Sequence, residues 1–336
     1  MRTSYSLLLV LTLGLLSCES IFVAEPERDP EALYDYFWST FDREYAPFAE
    51  RGVDWQEVYA TYRPLVGPGT SEDSLFALMS QSIAELNDGH VSLTAPGRPV
   101  FHANAVRRNR PNDAAFNRQV IKSYLDPDFR EGPDTSFISG TVAGTGIAYI
   151  HFDHVGENLL ELPEFLLRHA SGSGFVIDLR HNKGGDFTYF FTELGHLVDE
   201  ARPVFRSRTR NGPHPGDFTE WTTWGIEPAG AFVDLPVVVL TDRYTISAGE
   251  RAVMALRTLP NVTVVGDTTN GAHGTLVGRE LPNGWFTSLT PQQVEPVGSA
   301  SLEGQGIPPD LVVTSDPDAV AAGSDRVLEA ALGRFD

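Results

Sequence analysis

Cysteine and positive charge are scarce in this 336-residue sequence. Cys18 is the one cysteine, so no disulfide can form within the chain and no cysteine-based zinc site is available. Lysine and arginine number 25 against 45 aspartates and glutamates, and the net charge of -20 argues against nucleic-acid binding, which needs a basic face. The remaining composition, 41% hydrophobic with glycine and proline spread along the chain, is typical of a globular protein.

The N-terminus has the layout of an export signal. Arg2 precedes an apolar stretch from Leu7 to Leu16 that is too short to span a bilayer. The following Leu15-Leu16-Ser17-Cys18 is similar to the lipobox of bacterial lipoproteins, in which the cysteine is lipidated and becomes the mature N-terminus. We therefore expect a lipoprotein signal peptide at 1–18, a linker at 19–29, and export to the bacterial cell envelope, periplasmic or surface-facing, with Cys18 anchored in a membrane. An ordinary secretory signal with a chance cysteine is the alternative.

Residues 30–95 are predicted to form an N-terminal helical domain. Apolar residues recur every three or four positions in three stretches, which begin near Pro30, Asp54 and Thr70. Three amphipathic helices can bury one another's apolar faces, so a small helical unit is expected here.

Residues 96–140 are predicted to be a connecting segment, because they are rich in proline, asparagine, aspartate and arginine and lack a sustained period. The stretch AVRRNRPND within it contains Arg107, Arg108 and Arg110. A solvated loop is one interpretation of this basic cluster, and a clamp for a substrate carboxylate is the other.

Residues 141–336 are predicted to form an α/β domain. The strand GIAYIHF, the helical segment LLELPEFLLRHA and the buried strand FVIDL follow one another, as do the strand PVVVL, the helix SAGERAVMALRTL and the strand NVTVVGD. Alternating elements of these lengths indicate crossover connections. The intervening segment 202–234 includes a stretch that is long for a loop, and we expect a lid or binding loop there.

Phosphate-binding and zinc-peptidase motifs are absent, since the sequence has neither G-x-x-x-x-G-K-[ST] nor H-E-x-x-H. His151 and His154 are the one close histidine pair, and at this spacing on a strand their rings point to opposite faces. We expect no metal and no organic cofactor.

The decapeptide TDRYTISAGE places Ser247 at the start of a predicted helix, directly after the strand PVVVL. Ser247-Ala-Gly-Glu250 fits the S-x-x-E capping box, so Ser247 can be a helix cap. Ser247 can also be a nucleophile, because the N–H groups at a helix N-terminus favour developing negative charge. The nucleophile elbow G-x-S-x-G of α/β-hydrolases does not apply, since Thr245 replaces its first glycine.

Three further segments carry residues suited to acyl transfer. FVIDLRHNKGGD contains Gly184 and Gly185, whose N–H groups can serve with that of Ala248 as oxyanion donors, or can belong to a tight turn. ELNDGHVSL places His90 in a turn, where it can accept a serine proton or be a surface histidine. EGQGIPPDLVV carries Glu303, either an acid that orients an imidazole or a surface glutamate.

Together these segments resemble the tail-specific and tricorn-core serine peptidases. DGHVSL, VIDLRHNKGG, VVVLTDRYTISAGE with VVGDTTNGAHG, and LEGQGIPPDLVV occur in the order and approximate spacing of that family. The closing DRVLEAAL is similar to the family's last helix, and the resemblance covers most of residues 30–336. It implies a crotonase-like α/β core of stacked βαβ units.

Carried over by position, the resemblance implies that Ser247 is the nucleophile, His90 the general base and Glu303 the acid of its relay. The paired glycines and Ala248 become the oxyanion donors. The implied function is a cell-envelope serine endopeptidase that forms an acyl-enzyme with a peptide or unfolded protein substrate. A non-catalytic ligand carrier on the same fold is the alternative, an acyl-CoA enzyme is a weaker one, and the oligomeric state is left open.

Two departures concern the base and a missing module. The tail-specific branch has a lysine in a G-K-G turn, whereas this sequence has Gly271-Ala272-His273-Gly274, which excludes a Ser–Lys dyad and leaves His273 as the alternative base. About 50 residues separate His90 from Gly146, too few for the PDZ domain that many members carry between these segments. The resemblance therefore points to the histidine-using branch without that domain.

A third departure concerns the relay. Gly89 stands where the tricorn relay has a serine before the histidine. We therefore expect Asp88, Ser92 or water to bridge His90 to Glu303.

Overall fold

A computed structural model of the chain describes residues 29–109 and 115–335. The predicted signal peptide with Cys18, most of the predicted linker and Arg110 lie outside the described residues. Within the described ranges, no helix has the length and apolarity needed to cross a membrane.

The N-terminal unit contains the three predicted helices and one additional turn of helix. Asp29, Asp54 and Ser71 each accept backbone hydrogen bonds at the start of a longer helix, which satisfies N–H groups that have no partner within the helix. The helices are α1 (Pro30–Glu44), α2 (Phe48–Arg51), α3 (Trp55–Tyr62) and α4 (Glu72–Ala84).

A small antiparallel sheet completes the core of this unit. Its strands are β1 (Ser92–Thr94), β2 (Phe101–His102), β11 (Val277–Glu280) and β12 (Phe286–Leu289), in the order β11-β12-β1-β2. Leu281, Trp285 and Leu289 pack in the same apolar core as α1 and α4. The helical unit therefore shares one core with residues nearly 200 positions later in the chain.

Seven strands form the central sheet of the α/β part, and their alternating residues enter two different cores. In the strand VVVLT, Val237 and Val239 face one core while Val238 and Leu240 face the other. Because both faces are covered, the central strands IAYIHF, GFVID and VVVLT are buried along their whole length and mostly apolar, and the predicted α/β class is confirmed. The strands are β3 (Arg130–Glu131), β4 (Phe137–Thr141), β5 (Ile147–Phe152), β6 (Gly174–Asp178), β9 (Val237–Thr241), β10 (Val262–Gly266) and β14 (Leu311–Val312).

The order in this sheet is β14-β10-β9-β6-β5-β4-β3. Neighbours from β5 through β14 are parallel, and β4 pairs antiparallel with both β5 and β3. Strands β3 and β4 lie in the segment predicted as connecting, which therefore contributes one edge of the sheet. The carboxyl ends of β6 and β9 are adjacent, so the turns that follow them meet at one edge.

Helices cover both faces of the central sheet. One core contains residues of α7 (Leu162–Arg168), α8 (Phe187–Glu193) and α9 (Ala248–Leu256). The opposite core contains residues of α6 (Arg118–Tyr124) and α11 (Arg326–Leu332). The short helices α5 (Ala105–Arg108) and α10 (Pro317–Ala321) contribute no residue to either core.

The segment 202–234, predicted as a lid or binding loop, contains two strands, so the expectation of one long loop was wrong. It contains β7 (Arg202–Thr209) and β8 (Thr222–Ile226), which pair with each other, and β13 (Gln292–Pro296) pairs with β7 to complete a three-stranded sheet. Alternation is weak in its sequence because β7 carries arginine and threonine, and β8 carries threonine, at exposed or half-buried positions. Phe205, Trp224 and Phe187 of α8 nevertheless pack ring against ring, which holds this sheet to the α/β core.

Candidate active site

Ser247 precedes α9 in a strained conformation, with φ 60° and ψ -123°. A non-glycine residue with positive φ is uncommon and costs about 1–3 kcal/mol, which the surrounding structure must offset. The N–H of Ser247 donates to the carbonyl of Ala272 at 3.1 Å and lies 3.2 Å from the carboxylate of Glu250. Glu250 thus assists the cap, and the sharp strand-to-helix turn forms without the first glycine of the G-x-S-x-G elbow.

The turn after β6 packs directly against this serine. A Cβ added to Gly184, whose φ is 77°, would lie 2.6 Å from Ser247 Cβ. Asn182 joins the two turns, since its carbonyl accepts from Ile246 N–H at 3.1 Å and its side-chain oxygen accepts from Gly184 N–H at 3.0 Å. The sequence alone indicates no structural role for Asn182, although this residue lies in the segment FVIDLRHNKGGD.

The two predicted glycines differ in the state of their N–H groups. That of Gly184 is engaged by Asn182, whereas that of Gly185 donates to no described residue. Val155 pairs across Gly185 through the N–H of Asp186 and the carbonyl of Gly184, which leaves the Gly185 N–H outside the pairing. Ala248 is the first residue of α9, where an N–H has no partner within the helix.

His90 lines the same cleft as Ser247, Gly185 and Ala248, a cavity of about 560 Å³. Its side chain is buried, and neither ring nitrogen has a hydrogen-bond partner among the described residues. Burial lowers the pKa of His90 to about 4, against the opposing effect of the Asp88 carboxylate, so the ring is neutral at neutral pH. The neutral imidazole has a lone pair with which it can accept a proton from a group in the cleft.

His273, the alternative base, is fully buried and does not line this cleft. Its Nε2 lies 3.1 Å from the Glu250 carboxylate, and its Nδ1 lies 3.8 Å from that of Glu303. Although burial opposes it, the neighbouring Glu250 raises the pKa of His273, so the ring favours its charged form. The geometry is that of a buried ion pair beneath the serine turn.

Glu303 is buried, as its predicted role required, but it makes no hydrogen bond to the ring of His90. It accepts from the guanidinium of Arg51 at 2.5 Å and from the backbone N–H of His273 at 2.9 Å. Arg51 also lies 3.5 Å from Asp88, whose carboxylate accepts the backbone N–H of His90 at 2.7 Å. Arg51 of the helical unit therefore stands between Glu303 and the histidine turn, a link that no sequence motif indicated.

The space that a side chain at position 89 would need is occupied by the side chains of Asn270 and Ile246. A Cβ there would lie 2.4 Å from the side-chain oxygen of Asn270 and 2.5 Å from Ile246 Cδ1. Ser92, another predicted bridge, instead shares a hydrogen bond of 2.8 Å with Ser288. The relay serine of the tricorn pattern thus has no space here unless these side chains shift.

Cationic side chains line the rest of the cleft. Arg107, Lys183 and Arg251 contribute to it, together with Asp186 and Phe187. Arg107 donates to the carbonyl of Gly89 at 2.8 Å, so this member of the basic cluster belongs to a cleft wall rather than to a solvated loop. Arg251 was not singled out from the sequence, although it and Glu250 are the two charged residues of a helix that is otherwise apolar or glycine.

An α/β core with a serine in a strained strand-to-helix turn is typical of serine hydrolases. The comparisons define the class more closely, since residues 146–313, half of the chain, match peptidase family S41 and residues 26–84 match the tricorn protease C1 domain. The chain belongs to peptidase family S41, and the predicted family is confirmed.

The curated relatives that this chain resembles are named as proteases. The carboxy-terminal processing protease CtpB of Bacillus subtilis (strain 168) is 28% identical over 191 residues, which are 56% of this chain and 38% of that protein. The tricorn protease of Thermoplasma volcanium is 26% identical over 191 residues, 55% of this chain and 17% of that protein. The chain thus matches less than half the length of either relative.

Similarity to a solved structure extends over nearly the whole chain. A candidate peptidase from Parabacteroides merdae ATCC 43184 is 27% identical, with a TM-score of 0.82, and the match covers 92% of this chain and 97% of that one. Together with the family match, this supports a serine peptidase.

Proposed function

We propose that this chain is a serine endopeptidase that cleaves peptide or unfolded protein substrates through an acyl-enzyme on Ser247. The observation that carries the proposal is that Ser247, the neutral ring of His90 and two uncommitted N–H groups border one cleft. Membership of family S41 supports the same chemistry.

In the proposed reaction, Ser247 Oγ attacks the carbonyl carbon of the scissile peptide bond while His90 takes the hydroxyl proton. The N–H groups of Gly185 and Ala248 stabilise the oxyanion, and each such donor is worth about a hundred- to a thousandfold in rate. His90 then gives its proton to the leaving amine as the C–N bond breaks. A water molecule, deprotonated by His90, hydrolyses the ester and regenerates the serine.

His90 rather than His273 is assigned as the base. Neither nitrogen of His90 is bonded to a described residue and its side chain borders the cleft, whereas His273 is held between two glutamates outside it. A charged imidazole also lacks the lone pair needed to accept a proton. We assign His273 and Glu303 a positioning role, because they connect the serine turn to Arg51 and the helical unit.

We further propose that the enzyme acts in the bacterial cell envelope, tethered by lipid at Cys18. The support is the apolar stretch and the Leu-Leu-Ser-Cys sequence at the N-terminus. Expression of the full chain followed by detergent phase partition tests this: the wild type is expected in the detergent phase and Cys18→Ala in the aqueous phase. Equal partition of the two proteins would contradict lipidation.

Labelling with a fluorophosphonate probe tests the catalytic proposal. The wild type is expected to be labelled and to cleave an unfolded protein such as casein, whereas Ser247→Ala is expected to do neither. Ser299→Ala, a change at an exposed turn serine, is the matched control and is expected to retain both activities. A wild type that is neither labelled nor able to cleave would favour the non-catalytic carrier.

A further inference from the structure

Arg251 is a buried cation whose guanidinium contacts no carboxylate of a described residue. The other deeply buried arginine side chains in the described part of the chain have carboxylates: Arg51 pairs with Asp88 and Glu303, and Arg180 pairs with Asp178 and Asp325. Arg251 is 3% exposed, yet no carboxylate of a described residue lies within 4 Å of its guanidinium. Burial lowers the pKa of Arg251, and the more distant carboxylates of Glu303 and Glu250 oppose this only in part, so the desolvation of the guanidinium is not fully offset.

The contacts of Arg251 are all neutral. Its Nε donates to the carbonyl of His273 at 2.9 Å, and its Nη2 donates to the side chains of Gln292 at 2.6 Å and Thr275 at 3.4 Å. The guanidinium also lies 4.6 Å from the centre of the Phe187 ring. Nη1 donates to no described residue, so one end of the guanidinium is uncommitted.

The position of this cation ties it to the nucleophile. Arg251 lies four residues after Ser247, its N–H donates to the Ser247 carbonyl at 3.1 Å, and residues at this spacing share one face of a helix. Both side chains line the cleft, as do Arg107 and Lys183. In a chain of net charge -20, the described residues that line the cleft thus include three cations and one carboxylate, that of Asp186.

We infer that Arg251 binds a carboxylate of the substrate next to the scissile bond. This inference rests on the proposed function and adds a specificity to it. A substrate carboxylate would supply the missing counter-charge through Nη1 in a site sheltered from water, where charge-assisted hydrogen bonds are strong. Burial lowers the pKa of Arg251 to about 10, so the guanidinium stays charged at neutral pH.

Two peptide groups can provide this carboxylate: an aspartate or glutamate side chain, or the free C-terminus. One peptide series tests both sources, with glutamate or glutamine beside the scissile bond and with a free or an amidated C-terminus. We expect the wild type to prefer one carboxylate-bearing form by about tenfold or more in kcat/KM, the range of a hydrogen bond to a charged group. The arm that shows the preference identifies the source.

Arg251→Gln is expected to bring that ratio of kcat/KM values close to one, and Arg251→Lys to restore part of it. A purely structural role would lower kcat/KM equally for charged and neutral peptides and leave the ratio unchanged. Arg206→Gln is the matched control, because this arginine pairs with Glu295 on the three-stranded sheet and does not line the cleft. Its ratio should equal that of the wild type.

The inference is overturned if the wild type shows no carboxylate preference in either arm, or if Arg251→Gln keeps the preference. Should Arg251→Gln fail to fold, as judged by circular dichroism, the wild-type ratios and those of Arg251→Lys still decide. If the wild type cleaves no peptide, the proposed function fails separately. Calorimetric binding of the same peptides to Ser247→Ala then tests the site, with tighter binding of the carboxylate form expected and equal or absent binding against it.

Discussion

Gly184 and Ser247 are packed so closely that a methyl group on the first would overlap the second: the added Cβ would lie 2.6 Å from Ser247 Cβ and 3.1 Å from its Oγ. The glycine turn after β6 and the serine turn after β9 are thus fitted together at the edge where their parallel strands end. In the proposed reaction the oxyanion donor and the nucleophile come from these two turns, so their mutual fit would set the geometry of that reaction.

Gly184→Ala is therefore expected to lower kcat/KM at least about a hundredfold, since a displacement of about 1 Å at a reacting group has that effect. Probe labelling rates and peptide hydrolysis measure the loss. Gly144→Ala is the matched control: its φ of 73° imposes similar backbone strain, but a Cβ there meets nothing within 4 Å. Equal activity losses in the two variants would contradict the packing argument.

The pH dependence of kcat/KM is expected to follow His90. A base must be neutral to accept a proton, so activity is present above its pKa and is lost as pH falls through it. Because burial lowers the pKa of His90 to about 4, activity on a non-ionisable substrate should hold from pH 7 to about pH 5 and halve near pH 4. Circular dichroism over the same range checks that the fold persists. A midpoint near the ordinary value of 6.5 would contradict a desolvated base.

His273→Gln is expected to destabilise the fold by about 3–5 kcal/mol near pH 6, since it leaves buried Glu250 without its ionic partner. The pKa of His273 is raised in the fold, so the stabilisation by the charged ring is complete below the unfolded value of 6.5 and is lost as pH rises through the folded pKa. The gap in free energy of unfolding between wild type and variant should therefore narrow from pH 6 towards pH 9.

Denaturant unfolding at several pH values measures this gap. His154→Gln serves as the control, because His154 pairs with Asp153 at a partly exposed site and such pairs contribute about 1 kcal/mol or less. A gap for His273→Gln that is small at pH 6, or that widens with rising pH, would argue against the buried ion pair.

Gly89→Ser, which places the tricorn relay serine in this chain, is expected to destabilise the protein by about 1–3 kcal/mol, the usual range for overpacking. The added Cβ overlaps the side-chain ends of Asn270 and Ile246. Adding Asn270→Ala should recover part of the loss, and a double-mutant cycle of unfolding free energies measures the coupling. Strict additivity of the two changes would show that Asn270 does not occupy the serine's place.

Much of the fold followed from local pattern. The three valines and the leucine of PVVVL predict a strand buried on both faces, and their alternate side chains do enter two cores. The segment with β7 and β8 escaped prediction because its exposed positions carry arginine and threonine, and its buried face is defined by Phe187 and Phe191 of another element. Packing against residues of another element does not produce an alternating apolar pattern in the sequence of the segment itself.

Some residues of the candidate site could also be predicted from the sequence, and others could not. Ser247, His90 and the paired glycines stood out because each lies in a short motif whose residue types suit acyl transfer. Arg51 gave no such signal: its role arises from contacts with Asp88 and with Glu303, which is 252 positions later in the chain. Likewise, only the packing of Asn270 against Gly89 explains why glycine stands at that position.

By itself, the sequence determined the alternating α/β elements, the family and the residues suited to acyl transfer, because helix caps, strand periodicity and motif spacing are local properties of the chain. The tertiary structure decided that His90 is neutral and borders the cleft, that His273 pairs with Glu250, and that the buried guanidinium of Arg251 contacts no carboxylate in the described part of the chain. The physical reason is that desolvation and Coulomb interactions depend on neighbours in space, which here lie tens to hundreds of positions apart in the chain.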